Sequence, residues 1–555
     1  MPERRRKKEN NFMIHGVILS IAAVITKIIG AIYRIPLTNI LGDEGNGFYS
    51  YAFDVYAIAL LLSSFSLPLA VSKLMSARIA RGQRRNAFRV FICALFFSIV
   101  IGLAVSLLIF FGADFIAANI MKAPMSAFAL KVLAPALFIV SVMGVIRGYF
   151  QGLGNMIPTA ISQVLEQIFN AIISIVGAYS LFKFGESVAK GKNAEQTAAA
   201  YGAAGGTLGT VLGALFALLF LLFLFYMNRH NIHRRLRADR SARIESRSRI
   251  IRILLITMIP VVMSTGIYNI NSIIDKTVFN NVMASQGYTV LEYTALMGIY
   301  SGKYSVLINI PLAIANALGA SVIPSLTAAV TAGNKTLTHS KINLSVRFGM
   351  IVAIPCCVGF MVLASPIMQL LFNDARTSTA MMLILGAVTV VFYSLSTITN
   401  AILQGINQMN APVKNGLISL VIHLIALFIM LVPLKWNIYG VVISNIIFSL
   451  CMCILNARDI AKASGYKQEK DKTFFKPVTA SVIMGVATYA CYLIFDIFIG
   501  GKIATLIAIV VAVLVYAISL LKLGGLSEDE LRSMPKGDLI VHICKKFHLI
   551  SKEIF

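Results

Sequence analysis

Charge is what this chain of 555 residues has least of: Asp, Glu, Lys and Arg make up 13% of it, where a soluble domain carries about 25%. With 58% apolar residues and a mean hydropathy of +0.82, no segment is polar enough and long enough to fold as a water-soluble domain. Acidic side chains are scarcer than basic ones, 23 against 49, which leaves a formal net charge of +26. The excess sits in short loops and at the two ends, with no basic patch interleaved with aromatics. That distribution excludes nucleic acid as a partner and follows membrane topology. The seven cysteines, Cys93, Cys356, Cys357, Cys451, Cys453, Cys491 and Cys544, fall almost entirely inside apolar runs. They suit a core and provide no disulfide or metal framework. No carboxylate pair or metal motif stands beside a sizeable loop domain, so no catalytic residue, metal or cofactor is assigned. The basic N-terminus followed by an apolar run imitates a signal peptide. The run is too long and lacks a small-residue cleavage site, so it is read as a retained first span.

What is present is a long series of apolar runs. The pattern predicts an all-α integral membrane protein of about 14 transmembrane helices, near 12–37, 48–77, 90–111, 127–147, 158–182, 203–227, 251–279, 295–327, 347–371, 379–403, 415–434, 438–456, 477–498 and 502–522. Basic residues alternate from loop to loop. They crowd residues 4–8, 78–89, 229–252, 335–347 and 462–476, and thin out in the intervening loops. The alternation places both termini in the cytoplasm.

The chain also resembles itself. Gly47-Phe-Tyr-Ser matches Gly298-Ile-Tyr-Ser, and at the same offset Arg81-Gly82 falls on Ala332-Gly333. Gln151-Gly-Leu-Gly-Asn-Met-Ile-Pro158 matches Gln404-Gly-Ile-Asn-Gln-Met-Asn-Ala-Pro412, and Thr26-Lys27 falls on Asp275-Lys276. The implied organisation is a six-helix half at 1–227, a basic cytoplasmic linker at 228–250, and a second six-helix half at 251–456. Two extra transmembrane helices follow at 457–522, then a cytoplasmic tail at 523–555. An even number of spans in each half makes the halves parallel, related by an axis along the membrane normal. In the tail, Ser527-Glu-Asp-Glu530 has the pattern of a capping box, and 540–555 is expected to be a helix lying on headgroups.

Ionisable residues inside the spans are candidates for function, because a charge at mid-membrane costs roughly 2.5–3.5 kcal/mol on insertion scales. Lys27 and Arg34 lie seven apart in the first span and so share a direction. They either face a water-filled cavity and meet an anion, or Arg34 snorkels to the headgroups and Lys27 alone is buried. Lys303 in the eighth span has the same two readings. Asp275 and Lys276 lie late in the seventh span, where Tyr268, Asn271 and Asp275 share a helix face. Asp275 is expected to pair with a cation of another span, with Lys303 as a candidate, in a cavity or in a purely structural contact. Glu166 forms a stripe with Ser162 and Asn170. It either takes up a coupling ion, H+ or Na+, or pairs with a basic residue on the cytoplasmic side. Asp54, Lys73 and Lys131 have no evident partner. The cationic excess favours an anionic substrate such as a phosphate or diphosphate.

Thr26-Lys-Ile-Ile-Gly-Ala-Ile-Tyr-Arg34, Gly42-Asp-Glu-Gly-Asn-Gly-Phe-Tyr49, Leu67-Pro-Leu-Ala-Val-Ser-Lys73, Arg147-Gly-Tyr-Phe-Gln-Gly152, Ser162-Gln-Val-Leu-Glu-Gln167 and the tail around Pro535-Lys-Gly537, in this order and topology, resemble the lipid-linked oligosaccharide flippases of the MOP superfamily. Within that superfamily the MurJ-like and SpoVB-like bacterial proteins are the nearest in pattern. The resemblance implies a multi-pass protein of the bacterial cell membrane that flips undecaprenyl-diphosphate-linked saccharides to the outer leaflet by alternating access. Its partners would be that polyprenyl-diphosphate-linked substrate and membrane lipids. It implies that the cations of the first and eighth spans, here Lys27, Arg34 and Lys303, line a central cavity, and that the last two spans make a groove for the lipid tail. Two departures stand out. The family often has Arg where this chain has Lys27, and a lysine makes a point contact where arginine makes a fork. Some members carry a basic residue deep in the second span, where this chain has only Asp54 and, near the end, Lys73. Cargo other than peptidoglycan precursor (teichoic-acid, capsular or spore-cortex units) and a cation-coupled drug exporter of the MATE type are the competing readings. Buried carboxylates and twelve spans would favour the exporter.

Overall fold

The structure is a computed structural model that describes residues 2–64, 66–189, 194–237, 239, 244–526, 528, 532 and 537–546; within its helices, side chains are left undescribed chiefly at 2–17 and 263–270. Among the described residues every regular element is helical, the arrangement that satisfies each backbone N–H and C=O inside its own segment when no water is at hand. In chain order the helices are α1 (Pro2–Ser63), α2 (Leu67–Ala80), α3 (Arg84–Phe115), α4 (Ser126–Gly152), α5 (Ile157–Val188), α6 (Ala194–Met227), α7 (Arg229–Arg237), α8 (Arg247–Ser285) and α9 (Val290–Ile299). There follow α10 (Ser305–Thr331), α11 (Lys335–Val362), α12 (Ala364–Phe372), α13 (Thr377–Gly386), α14 (Val388–Gly405), α15 (Asn410–Leu431), α16 (Asn437–Ser464), α17 (Lys476–Ile499), α18 (Gly501–Lys522) and α19 (Gly537–Lys546). Twelve helical stretches among the described residues are long and apolar enough to cross a membrane. The predicted seventh span falls in α8, which is not one of the twelve; its polar residues include Arg247, Arg249, Arg252, Asp275 and Lys276. Of the tail, α19 is described, whereas Ser527, Asp529 and Glu530 of the predicted capping box, Pro535, Lys536 and residues 547–555 lie outside the described residues.

The chain forms two compact units, Met1–Gly302 and Lys303–Phe555. In the first unit, α1 contains the predicted first span and the first part of the second, which is interrupted after Ser63 and resumes as α2 at Leu67. Gly42 interrupts α1 with φ 67° and ψ −177°, a conformation that costs glycine little. The chain folds back there. Asn46 Nδ2 donates to the carbonyls of Thr38, at 2.8 Å, and Gly42, at 2.6 Å. Leu37 and Tyr49 both lie against Gly206 of α6, which twelve residues of straight helix, about 18 Å, would forbid.

The turn of α1 is held by close backbone approach to α9. A Cβ on Gly298 would lie 1.7 Å from the Asp43 carbonyl oxygen and 2.8 Å from the Gly47 nitrogen, and one on Gly47 would lie 2.3 Å from the Thr294 oxygen. The two glycines that the internal repeat pairs with each other are therefore neighbours in space. The repeat also carries into backbone geometry. Gly82 and Gly333 both have positive φ, 76° and 67°, as do Gly154 and Asn407, 80° and 64°, and Lys122 and Asn373, 53° and 51°. After the last pair, Ala123 N bonds the Ala117 carbonyl and Asp374 N bonds the Met368 carbonyl in the same way.

The basic linker is no loose tether. Its two acids dock it onto the last turn of α2 and the first turn of α3. Glu245 takes two bonds from the Arg78 guanidinium, at 3.0 and 2.5 Å, and Asp239 accepts from Arg85 N at 2.6 Å.

Gly298→Ala is expected to cost at least about 1–3 kcal/mol of stability, because the clashing atom is backbone and cannot swing away. Gly359→Ala, where a Cβ meets nothing within 4 Å, is expected to change stability by less than about 0.5 kcal/mol. Thermal unfolding of the two purified variants in detergent checks this; equal midpoints would remove the close approach as a determinant of the fold.

Candidate functional site

The first candidate surface is the first arm of α1 and the face of α5 beside it. Lys27 is exposed on its unit. Gly30, three residues beyond Lys27, is packed against the Gln167 amide, whose nitrogen a Cβ would meet at 3.3 Å. Arg34 is half-buried, with its guanidinium 4.1 Å from the centroid of the Tyr49 ring. The aromatic face stabilises the cation without neutralising it. Along α5 the stripe of Ser162, Glu166 and Asn170 extends one step further, to Ser174. Arg147 of α4 donates to Ser162 Oγ at 2.9 Å and to Glu166 Oε2 at 2.7 Å. Asn170 reaches the Tyr33 hydroxyl at 3.4 Å, and Ser174 bonds Asn170 and the Gly206 carbonyl. Glu166 thus has the basic partner that the second reading of that residue requires.

The second surface joins α8 to the second arm of α1. Lys276 is buried and places Nζ 2.7 Å from Asp54 Oδ2 and 3.4 Å from the Ser50 carbonyl. Ser272 donates to the same Asp54 oxygen at 3.1 Å. One turn beyond, Asn280 accepts from the Tyr51 hydroxyl at 2.9 Å and donates to the Met121 carbonyl at 2.7 Å. Ser272, Lys276 and Asn280 recur every four residues, so α8 lays one polar stripe on α1. Asn271 and Asp275, on the neighbouring flank, are buried as well, at 5% and 4% exposure; the Tyr268 side chain lies outside the described residues. Asp54, which has no evident partner in the sequence, is the counter-ion of Lys276. Lys131 likewise has one, Asp114 at 2.8 Å.

In the second unit, Lys303 is presented by a single π-turn, Tyr300–Tyr304, between α9 and α10. Such wide turns are common at functional sites because they push one side chain out of the helical register. Lys303 Nζ lies 2.6 Å from Asp374 Oδ2. Asp374 sits in the turn between α12 and α13, where Arg376 Nε donates to Oδ1 at 2.8 Å, Arg376 Nη2 to Oδ2 at 2.5 Å, and Thr379 Oγ1 to Oδ2 at 3.0 Å. Burial opposes ionisation of this carboxyl, but the bonds from Arg376 and Lys303 outweigh it and hold Asp374 well below the usual carboxylate range. A depressed pKa contributes stability that is complete above the unfolded value and is lost only as pH falls through the folded one. Asp374 therefore keeps its charge at any physiological pH. Sequence reasoning missed Asp374 and Arg376. Asp374 lies 71 residues from Lys303, in a loop where no periodicity marks it.

Among the described residues no three His, Cys, Asp or Glu side chains gather where a metal could sit. What the surfaces offer is positive charge: exposed Lys27, aromatic-backed Arg34, and a Lys–Asp–Arg cluster with two cations to one carboxylate. That chemistry suits reversible anion binding.

Comparison with known proteins adds a family and a fold. The family model described as "Polysaccharide biosynthesis protein" matches residues 15–330. The chain is 24% identical over 517 residues to the lipid II flippase MurJ of Bacillus subtilis (strain 168), covering 89% of this chain and 91% of that protein. It is 24% identical over 529 residues to the stage V sporulation protein B of the same organism, covering 95% and 98%. Among solved structures, the lipid II flippase MurJ in an inward closed conformation superposes with a TM-score of 0.63 at 16% identity, covering 91% of this chain and 98% of that one. An inward-facing multidrug resistance MATE family transporter of the MOP superfamily superposes with 0.61 at 18% identity, covering 82% and 99%. The likeness to both establishes a multi-pass MOP-type fold and leaves the cargo to the side chains.

Breaking the Lys276–Asp54 pair from one side leaves a charge buried without its partner, a loss of about 3–5 kcal/mol, whereas removing both charges is close to neutral. Asp54→Ala is therefore expected to unfold at markedly lower temperature than wild type, and the double variant Asp54→Leu, Lys276→Met to recover most of the loss. A double variant as unstable as the single one would show that the pair is not the interaction at stake.

Proposed function

Since the chain belongs to the polysaccharide biosynthesis protein family, we propose that it is a flippase for lipid-linked saccharides, and that its cargo is the undecaprenyl-diphosphate-linked peptidoglycan precursor, lipid II. The observation that carries the reading is the sign of the charge left available. Lys27 is exposed, and Arg34 rests on Tyr49 instead of a carboxylate. A diphosphate is the group of a lipid-linked saccharide that such cations recognise. Lys27, Arg34 and Lys303 are each read as contacts for it. Lys276, neutralised by Asp54, is read with Asp275 as organising the packing of α8 and not as touching cargo. The saccharide would cross through water while the polyprenyl chain stays in lipid, and no covalent step is needed. The name of one Bacillus relative, a lipid II flippase, favours that cargo; the other is named for a stage of sporulation and names no cargo.

The driving force belongs to the same reading. Glu166 is the candidate for H+ or Na+ coupling, and its bond to Arg147 supplies the charge that an arriving ion would have to release. A cation-coupled drug exporter is the second reading, because the fold is shared with a MATE transporter. It is disfavoured by the carboxylates, since Asp54, Glu166 and Asp374 each already hold a cation of this chain.

Native mass spectrometry of the purified protein with lipid II, other polyprenyl-diphosphate sugars and a panel of cationic drugs tests the proposal. Lys27→Ala and Arg34→Ala are each expected to weaken lipid II binding about ten-fold or more, as for a charge-assisted hydrogen bond of about 1.5–3 kcal/mol. Equal binding of all polyprenyl diphosphates would keep the flippase and withdraw lipid II as its specific cargo. Drug binding indifferent to both substitutions, with no lipid adduct, would reject the flippase for the exporter.

A further inference from the structure

The internal repeat identifies what the fold requires at the Lys303–Asp374 cluster and what it does not. At the offset of 251 that relates Lys122 to Asn373, the first-half equivalents of Lys303 and Asp374 are Ala52 and Ala123, and that of Arg376 is Met125. Ala52 and Ala123 are 1% and 0% exposed. The same turn, with the same positive φ and the same six-residue backbone bond, is thus built once from two buried alanines and once from a buried ion pair. A buried ion pair is a poor stabiliser compared with apolar packing, so the fold has no need of it.

The cluster is placed for a ligand. A cavity of about 490 Å³ opens beside it, lined by Lys303, Phe372, Asn373, Asp374, Ala375 and Arg376. Lys303 and Asp374 are buried, whereas the Arg376 side chain is 49% exposed. Lys502, at the start of α18, donates to Asn373 Oδ1 at 3.3 Å and adds a third cation to the rim. Lys303 and Arg376 thus share one carboxylate, with Lys502 on the neighbouring asparagine. The carboxylate occupies the position between Lys303 and Arg376 that a phosphate oxygen would take, with Thr379 as a further donor.

We propose that Lys303, Arg376 and Lys502 form a binding subsite for a diphosphate group, in which Asp374 is the resident counter-ion that the arriving anion displaces. The inference rests on the flippase reading for its cargo and goes beyond it in naming Arg376, Lys502 and Asp374. When the anion is bound, Asp374 has given up its Lys303 contact. When Asp374 returns, it competes the anion off. A carboxylate of fixed charge therefore keeps the subsite from trapping its ligand, and its removal makes binding tighter and release slower.

The test uses the full-length protein in detergent and two probes, inorganic pyrophosphate and geranylgeranyl diphosphate, with calorimetry for affinity. Asp374→Asn keeps the shape and the bond to Thr379 and drops the charge. It is expected to bind diphosphate about ten-fold tighter, the equivalent of one charge-assisted contact no longer contested. Arg376→Gln and Lys502→Gln are each expected to bind it several-fold more weakly. A merely structural Asp374 predicts the opposite: unchanged or weaker binding in Asp374→Asn would overturn the proposal. Should that variant fail to fold, unchanged affinity in the rim variant Arg376→Gln overturns it equally. Tightening for both probes assigns recognition to the diphosphate group alone, and tightening for geranylgeranyl diphosphate only assigns it to a lipid headgroup; either supports the subsite. Tightening by pyrophosphate in a protein that binds no polyprenyl-linked sugar would retain the subsite and reject the cargo.

Discussion

A charge cannot be left alone in hydrocarbon; it brings a counter-charge, finds water, or is not there. Most of this structure follows from that constraint. Lys276 is held by Asp54, Arg147 by Glu166, and Lys303 by Asp374. The Lys276–Asp54 pair joins elements far apart in the chain, so satisfying that ion also fixes which helices pack together. Against that background Lys27 and Arg34 differ. They lie in the least apolar of the twelve candidate spans, where one is exposed and the other leans on an aromatic ring. In both, the positive charge is left available for the anionic cargo proposed above.

Three turns of the backbone are made twice. Gly82 and Gly333, Gly154 and Asn407, and Lys122 and Asn373 repeat the same left-handed turns, and Gly47 meets its repeat partner Gly298 at a separation that excludes any side chain. Small residues allow that approach, and in lipid close packing replaces the hydrophobic effect as the force between helices. The duplicated scaffold is thus indifferent to cargo. The differences between the halves are where function can be looked for: Ala52 against Lys303, Ala123 against Asp374.

Much of this was legible in the sequence, for physical reasons. Apolar runs of membrane length can only be helices, so the all-α class and most helix positions follow from composition. The repeat was visible because its glycines are required by backbone geometry and not by side-chain chemistry. The stripe Ser162, Glu166, Asn170 was readable from its spacing. The Gly42 reversal was not, because helical hydrogen bonding continues on both sides of one residue. The partners of Lys276 and Lys303 were not readable either. An ion pair between distant elements leaves no periodic trace, and Asp54 and Asp374 carry no local sign of what they face. The stripe Ser272, Lys276, Asn280 did carry such a sign, a spacing of four, and it was overshadowed by the neighbouring Asn271 and Asp275.

Since flippase and drug exporter share this fold, architecture cannot choose between them, and the choice falls to electrostatics. A site for a cationic drug needs a carboxylate that is buried and yet available. Here Asp54, Glu166 and Asp374 are each committed to a lysine or arginine of the same unit, and freeing one would strand a buried cation at a cost of about 3–5 kcal/mol. A site for an anion needs the reverse, and Lys27 and the half-exposed Arg376 supply it without breaking any pair that packs the helices. An anion arriving at Arg376 can replace the Asp374 carboxylate by a group of the same sign, so Lys303 is never left without a counter-charge during the exchange. That continuity of neutralisation is what allows a lysine this deeply buried to take part in binding at all.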